Sequence, residues 1–226
     1  LGSLRNECDV TVLSVVPNAA VRASLAEHGP AFHELRPWRE RYPVRFTREV
    51  LDLAHNRRLW SQAAQDRWMY RDLEAVAPEQ QLKRWGKKLL CYPFANALGL
   101  DLLSRLECSA SRWFRSGNHY LNLLRELRPS LVFNGSHVHS AIARPVIEAA
   151  QTLDIHTAAF LFSWDNLTSQ GRIMPPYDYY LVWNGRIRQD LLRIYPAIRP
   201  EQVTVTGTPQ FDFHFREEYY WSRERY

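Results

Sequence analysis

The sequence predicts an α/β protein with a Rossmann-like, doubly wound parallel sheet that carries a long helical insertion. Short apolar runs rich in β-branched residues alternate with helical patterns, first over residues 9–27 and again over residues 130–206. Between them, residues 47–128 show helical periodicity over a length that exceeds an ordinary crossover between strands. This alternation favours parallel strands joined by right-handed crossovers.

The first strand-to-helix unit lies near the start of the chain. Residues 9–16 form an apolar run that predicts a buried parallel strand. Asn18 is a suitable N-cap for a helix that continues to about Glu27 and stops at the Gly and Pro of residues 28–30. Residues 32–38 predict a second strand.

The central block predicts about four helices, because Pro78, Gly86, Pro93 and Gly99 interrupt its apolar periodicity. Basic and aromatic residues are grouped within it at residues 57–60, 67–71, 83–88 and 112–115. Helices of this composition either lie on an anionic membrane surface or pack over a core with their charges outward.

Beyond the block, strands and helices alternate again. The predicted strands are residues 130–135, 155–162, 179–183 and 202–206, and the predicted helices are residues 141–153 and 186–195. We expect residues 1–213 to form one domain with its insertion at about 47–128. Residues 214–226 then serve as a connector toward a C-terminal domain that this sequence lacks, so the chain is expected to be a fragment.

Composition narrows the functional classes. A net charge of +5 and a pI near 9.2 favour association with phosphates, anionic lipid or nucleic acid. No nucleic-acid recognition motif accompanies the charge, so nucleic acid is not an expected partner. Cys8, Cys91 and Cys108 lack metal-site spacing and are expected to be buried free thiols. Without a membrane-span or signal-peptide pattern, we expect a cytoplasmic location, with peripheral contact at the inner membrane face as an addition.

Three strand ends carry the most informative motifs, at residues 162–169 (FSWDNLTS), 180–184 (YLVWN) and 203–212 (VTVTGTPQFD). Open α/β sheets gather their ligands at the carboxyl ends of strands. With these motifs, residues 130–213 resemble the N-terminal half of a GT-B type glycosyltransferase. The resemblance is to bacterial surface-carbohydrate proteins near the CDP-glycerol glycerophosphotransferases and the UDP-N-acetylglucosamine 2-epimerase-like enzymes.

This resemblance implies two Rossmann-like domains that face a cleft. The nucleotide-activated sugar or CDP-glycerol-type donor binds mainly to the C-terminal domain, and a carbohydrate or lipid-linked acceptor binds to the N-terminal one. The expected function is therefore that of an acceptor-side transferase domain in bacterial surface carbohydrate biosynthesis, without a further cofactor. The alternatives are half of a nucleotide-sugar 2-epimerase and a non-catalytic module that binds carbohydrate or anionic membrane. The absence of GxGxxG argues against a nicotinamide site.

The turn after the strand at residues 130–134 supplies the first candidate site residues, Asn134, Ser136, His137 and His139. This turn lies between a strand end and a helix N-terminus, where backbone N–H groups can hold an anion, and His137, ahead of His139, can act as the general base. The alternative is that Ser136 caps the helix and the histidines are polar surface.

The second group is Trp164, Asp165, Asn166 and Thr168. We expect Asp165 to be catalytic and its neighbours to bind the acceptor, in a partly desolvated setting that suits a raised carboxyl pKa. The alternative is an Asx-turn. A metal site or a hydrolytic triad built from Asp165, His137 and either His139 or Ser136 is not favoured, because neither the ligand spacing nor a GxSxG elbow is present.

Gly207 and Thr208 complete the candidate set. They end the last strand, where a glycine allows close approach to a ligand or neighbouring domain. A hinge is favoured there over direct nucleotide contact.

Overall fold

The structure is a computed structural model that describes residues 7–15, 19–20, 23, 31–36, 40–74, 77–114 and 118–216. The expected cap at Asn18, the helix stop at residues 28–30 and the connector beyond residue 216 lie outside the described residues.

The described strands are all parallel and form two ladders. Strands β1 (Thr11–Ser14) and β2 (Ala31–Glu34) pair with Thr11 opposite Ala31. The larger ladder has the order β3-β4-β5-β6, and its strands are Leu131–Asn134, His156–Leu161, Tyr179–Val182 and Val203–Val205. The α/β class with parallel strands is therefore confirmed, whereas the doubly wound, GT-B-like arrangement stays a prediction. Strand β1 is shorter than expected and only partly buried.

The insertion is helical, as predicted, but it is divided differently. Within the described ranges it contains five helices rather than four: α1 (Tyr42–Leu59), α2 (Gln62–Glu74), α3 (Pro78–Cys91), α4 (Ala97–Trp113) and α5 (His119–Leu127). Gly86 lies inside α3, and the helix continues without a break from Pro78 to Cys91. Gly99 has a different role in the first turn of α4, where a Cβ would lie only 2.7 Å from the Phe94 carbonyl oxygen.

Three helices accompany the larger ladder: α6 (Arg144–Thr152), the single turn α7 (Asn166–Ser169) and α8 (Gly185–Ile194). Helix α6 begins three residues later than the sequence predicts, whereas α8 agrees within one residue. Asn184 fixes the start of α8, because its Oδ1 accepts a hydrogen bond of 3.0 Å from the Ile187 backbone N–H.

Apolar packing joins the ladders to the helices. Tyr180, Val182 and Leu191 are fully buried between the larger ladder and α8. A second cluster holds α1 against α4, and a third packs α5 and α6 together with Leu13 of β1 and Leu35 beside β2. Burial of these faces stabilises the insertion mainly through packing rather than through helix propensity.

Two other expectations concern the thiols and membrane insertion. Cys91 is buried and Cys108 is half-buried without a disulfide, whereas Cys8 is exposed, contrary to the expectation. Within the parts of the chain that are described, no helix has the length and apolar character needed to cross a membrane.

Candidate functional site

A cavity of about 160 Å³ lies where the helical insertion meets the β3–β4 strand ends. Helices α1 and α2 form one wall, and the opposite wall comes from the loop between β3 and α6 and from the segment after α7. Four arginines, two histidines and one carboxylate line it, with smaller and apolar groups: Arg48, Asp52, Arg67, His137, His139, Ser140, Ala141, Arg144, Gln170, Gly171, Arg172 and Met174.

Asn134 is a structural residue at the end of β3 rather than part of the cavity wall. Its Nδ2 donates to Tyr177 Oη at 2.9 Å, and its Oδ1 accepts from both the backbone N–H and the hydroxyl of Ser136, at 3.0 and 2.8 Å. Helix α6 begins at Arg144, so the turn beside Asn134 is not directly followed by a helix N-terminus, and the expected anion site at this turn stays a prediction. For the same reason Ser136 is not a helix cap, and its bond to Asn134 does not fit a Ser136–His137–Asp165 triad.

His137 and His139 both line the cavity, and Asn166 connects them. The Nδ1 atom of His137 accepts from the His139 backbone N–H at 3.2 Å, so the neutral ring carries its proton on Nε2. That Nε2 lies 3.5 Å from Asn166 Nδ2, while Asn166 Oδ1 is buried without a hydrogen-bond partner among the described residues. Rotation of the Asn166 amide about its Cβ–Cγ bond exchanges Nδ2 and Oδ1, and Oδ1 then accepts a hydrogen bond from the Nε2–H of His137.

His139 is a neutral hydrogen-bond donor. Its Nε2 lies 3.1 Å from the Asn166 carbonyl oxygen, which can only accept. Burial lowers the pKa of His139 to about 4, although backbone hydrogen bonding to Asn166 opposes this effect. The sequence therefore located both histidines, but their geometry makes them donors rather than proton acceptors.

Asp165 does not have the raised pKa expected from the sequence. Its carboxylate accepts from the hydroxyls of Ser163 and Ser169, the latter at 2.9 Å. These bonds, led by that of Ser163, lower the pKa of Asp165 and hold α7 in place. Trp164 is 71% exposed, and the Thr168 carbonyl oxygen accepts from the Ser61 hydroxyl at 2.7 Å. Neither Trp164 nor Thr168 lines the cavity.

Gly207 and Thr208 lie beyond the end of β6 and outside the cavity wall. Gly207 has φ +80°, a left-handed conformation that favours glycine. No described heavy atom lies within 4 Å of the place where its Cβ would be, so conformation rather than close approach requires the glycine. The hinge role of these residues stays a prediction.

Asp52 is the principal residue that the sequence reasoning missed. Its Oδ1 accepts from the Arg172 backbone N–H at 2.8 Å, and its carboxylate occupies the space that a Cβ on residue 171 would need. Gly171 therefore permits the contact. Burial raises the pKa of Asp52 to about 6, although the Arg172 bond and nearby Arg48 oppose this effect. The only local sequence signal was that Arg48 and Asp52 are one helical turn apart.

Beside the cavity lies a buried ionic network. Arg144 forms ion pairs with Glu107 and Glu148, and its Nη1 lies 3.5 Å from Glu40 Oε1. Arg48 pairs with Glu40 and with Glu107, whose Oε1 is 3.2 Å from Arg48 Nε. Burial raises the pKa of Glu107 to about 7, against the influence of Arg48. The positive charges of Arg48 and Arg144 are therefore compensated by the carboxylates of this network.

Among the residues that the structure describes, no group of three or more His, Cys, Asp or Glu side chains is arranged to hold a metal ion. Comparisons with protein-family models, with curated proteins and with solved structures each found no match to this chain.

Proposed function

We propose that this chain is the acceptor-side domain of a glycosyl- or glycerophosphotransferase of bacterial surface carbohydrate biosynthesis. The observation that carries the proposal is the cavity at the β3–β4 strand ends, which brings the carboxylate of Asp52 together with the rings of His137 and His139. Parallel α/β sheets bind ligands at this edge. Transfer to an acceptor hydroxyl requires such a pairing of a proton acceptor with groups that orient the substrate.

In this mechanism Asp52 removes the proton from the acceptor hydroxyl as its oxygen attacks the activated donor. A base with a pKa of about 6 is largely ionised at pH 7 yet basic enough to assist. His137 is a positioning residue rather than the base, because its Nδ1 is already occupied and its Nε2–H faces the Asn166 amide. The donor's nucleotide leaves with the electron pair of the broken bond.

Replacing Asp52 with Asn is expected to lower the rate of transfer by at least about 100-fold, the usual contribution of a positioned base. The amide keeps an oxygen that can accept the Arg172 N–H bond, so the fold should persist. The protein expressed from its complete reading frame is incubated with UDP-sugars or CDP-glycerol and polyol or carbohydrate acceptors, and nucleotide release is measured.

Asp190→Asn is the matched control, because Asp190 lies on α8 and pairs with Arg193 outside the cavity. Its activity should equal that of the unaltered protein. Full activity of Asp52→Asn contradicts the assigned base, and the absence of transfer from every donor rejects the transferase. Interconversion of UDP-N-acetylglucosamine without an acceptor supports the epimerase alternative and also rejects transfer.

We also propose that α3 contacts an anionic membrane, because its polarity is inverted. Leu82, Trp85 and Leu89 share one face and are 75%, 66% and 67% exposed, whereas Lys88 is buried and pairs with Asp72 of α2. All three lysines of the chain lie in this helix. Membrane-surface helices place Trp and Leu at the lipid interface with Lys beside them. Lys83, 69% exposed, is the lysine of α3 that remains available to anionic headgroups, because Lys87 and Lys88 pair with Glu49 and Asp72.

The triple variant L82Q/W85Q/L89Q is expected to lose binding to vesicles of mixed phosphatidylcholine and phosphatidylglycerol. Sedimentation with the vesicles measures it, and rising salt should weaken the binding of the unaltered protein. Val205→Gln replaces an exposed apolar residue on β6 and should bind normally. No sedimentation of the unaltered protein at low salt, or equal binding by the triple variant, overturns the membrane contact.

A further inference from the structure

Helix α4 carries apolar residues on two opposite faces. Leu100 and Leu103 are buried against α1, and Glu107 reaches the buried ionic network from the same side. The opposite side, which we call the outer face of α4, has four large apolar side chains that are 84%, 50%, 50% and 85% exposed: Leu98, Leu102, Leu106 and Trp113. Their spacing of four, four and seven residues keeps them on one side of the helix.

The outer face of α4 has the character of an interaction surface. A helix at the surface of a globular protein carries polar residues on its water-exposed side, whereas a helix that is apolar all round is covered on both sides. Contiguous exposed apolar patches that are bordered by charged residues mark sites of association. The apolar stripe extends about 22 Å along the helix, at a rise of about 1.5 Å per residue. This length suits the side of another helix.

Charged residues of both signs border the outer face along one edge. Asp101, Arg105 and Arg112 are exposed and share this edge, because they are four and seven residues apart. Asp101 Oδ2 accepts a hydrogen bond of 2.9 Å from Arg105 Nε. The acidic residue lies toward the N-terminal end of the edge, and Arg112 lies toward the C-terminal end. An edge with opposite charges at its two ends is complementary to a reversed copy of itself.

An antiparallel pair of these helices satisfies the apolar stripe and the charged edge in one register. When a two-fold axis relates two antiparallel helices, each edge lies beside the same edge of the other helix. With the axis beside Leu106, this residue meets its counterpart, and Asp101 of each copy comes level with Arg112 of the other. Trp113 then lies beside the leucines at the start of the second copy's helix, where its ring can pack between them.

We propose that the outer face of α4 is the interface of a homodimer, in which the two copies of the helix pack antiparallel about a two-fold axis. A single helix pair of this length buries less than the roughly 1,600 Å² of a standard interface, so the dimer is expected to be reversible, with a Kd in the micromolar range. Among the described residues, those that line the cavity do not include any from α4. The dimer therefore does not depend on transferase activity.

Sedimentation velocity tests the dimer, with the protein expressed from its complete reading frame and studied from low to high micromolar concentration. The triple variant L98Q/L102Q/L106Q is expected to raise the Kd for dimerisation by at least about tenfold, because glutamine preserves the helix but removes the apolar contact. The matched control is L82Q/W85Q/L89Q, which alters the exposed apolar face of α3 and should dimerise normally. Circular dichroism establishes that the variants are folded.

Charge reversal tests the antiparallel register. Asp101→Arg and Arg112→Asp should each weaken the dimer, because either change places like charges opposite one another in both symmetry-related pairs. Mixing the two variants should restore dimerisation, since each pair in the mixed dimer then contains one positive and one negative side chain. Dimerisation of both single variants with an unchanged Kd overturns the proposed interface.

The remaining outcomes also decide the proposal. A protein that stays monomeric at every concentration, or a Kd that is unchanged in the α4 triple variant, overturns the dimer. Self-association that is lost in the α3 variant and kept in the α4 variant places the contact on α3 and likewise overturns it. Vesicle binding by a monomeric protein that is lost in the α4 variant identifies lipid as the occupant of the outer face and rejects the second copy.

Discussion

Replacing Arg144 with methionine is expected to lower the free energy of unfolding by about 3–5 kcal/mol, the usual cost of breaking a buried ion pair from one side. Arg144 is only 2% exposed and lies among the carboxylates of Glu40, Glu107 and Glu148. Without it, all three carboxylates lose the guanidinium that they share, and Arg48 remains the partner of Glu40 and Glu107. Urea unfolding followed by circular dichroism measures the change.

The matched control is Arg105→Met, which removes an exposed arginine and should change the free energy by no more than about 0.5 kcal/mol. The double variant R144M/E107Q should recover part of the loss, because it also removes one of the stranded charges. A loss below about 1 kcal/mol for Arg144→Met would show that the network contributes little to stability.

Lowering the pH from 7 to 4 is expected to remove about 3 kcal/mol of stability through His55 alone, at about 1.36 kcal/mol per pKa unit. His55 lies on α1, is 2% exposed, and has no hydrogen-bond partner for Nε2 in the described parts of the chain. Burial lowers its pKa from 6.5 to about 3, helped by the charge of Arg172. Its ring packs 5.7 Å from that of Tyr195.

The sign of this effect follows from proton uptake. Between pH 6.5 and about pH 3, unfolded His55 binds a proton that the folded ring does not, so acid favours unfolding in that window. The raised pKa values of Asp52 and Glu107 act in the opposite direction, because the folded protein keeps their protons at higher pH. His139 adds to the effect of His55.

His55→Gln isolates the contribution, because glutamine does not titrate. The difference in unfolding free energy between the unaltered protein and this variant is measured in urea at pH 7, 6, 5 and 4. As the pH falls from 7 to 4, we expect the unaltered protein to lose about 3 kcal/mol of unfolding free energy relative to the variant, since the variant has no buried ring to protonate. A difference that stays constant across this range contradicts the prediction.

Local patterns in the sequence were sufficient for the elements of the second half. The β-branched runs that became β3 to β6 and the periodic segment of α8 were each bounded by turn residues, so that strand and helix could be assigned within a few residues. The parallel pairing also followed, because alternating strands and helices rarely pack otherwise. Predicting a helix break at Gly86 failed, since one glycine costs a helix only about 1 kcal/mol.

The chemistry of the site depended more strongly on tertiary structure. His137 and His139 were found in the sequence because they follow a strand, and strand ends meet at one edge of a parallel sheet. Asp165 also follows a strand, but two nearby serine hydroxyls determine where its side chain points, because they donate hydrogen bonds to the carboxylate at α7. No pattern of spacing distinguishes these two outcomes.

The sequence by itself determined the α/β class, the parallel strands, the helical insertion and the edge where polar groups gather, because each depends on local periodicity and turn chemistry. Only the tertiary structure brought Arg48, Arg67 and Arg172 together with Asp52, since these residues lie on separate segments whose apolar faces pack against one another. Their burial then set the charge and the raised pKa of Asp52, because desolvation depends on three-dimensional surroundings rather than on neighbours in the chain.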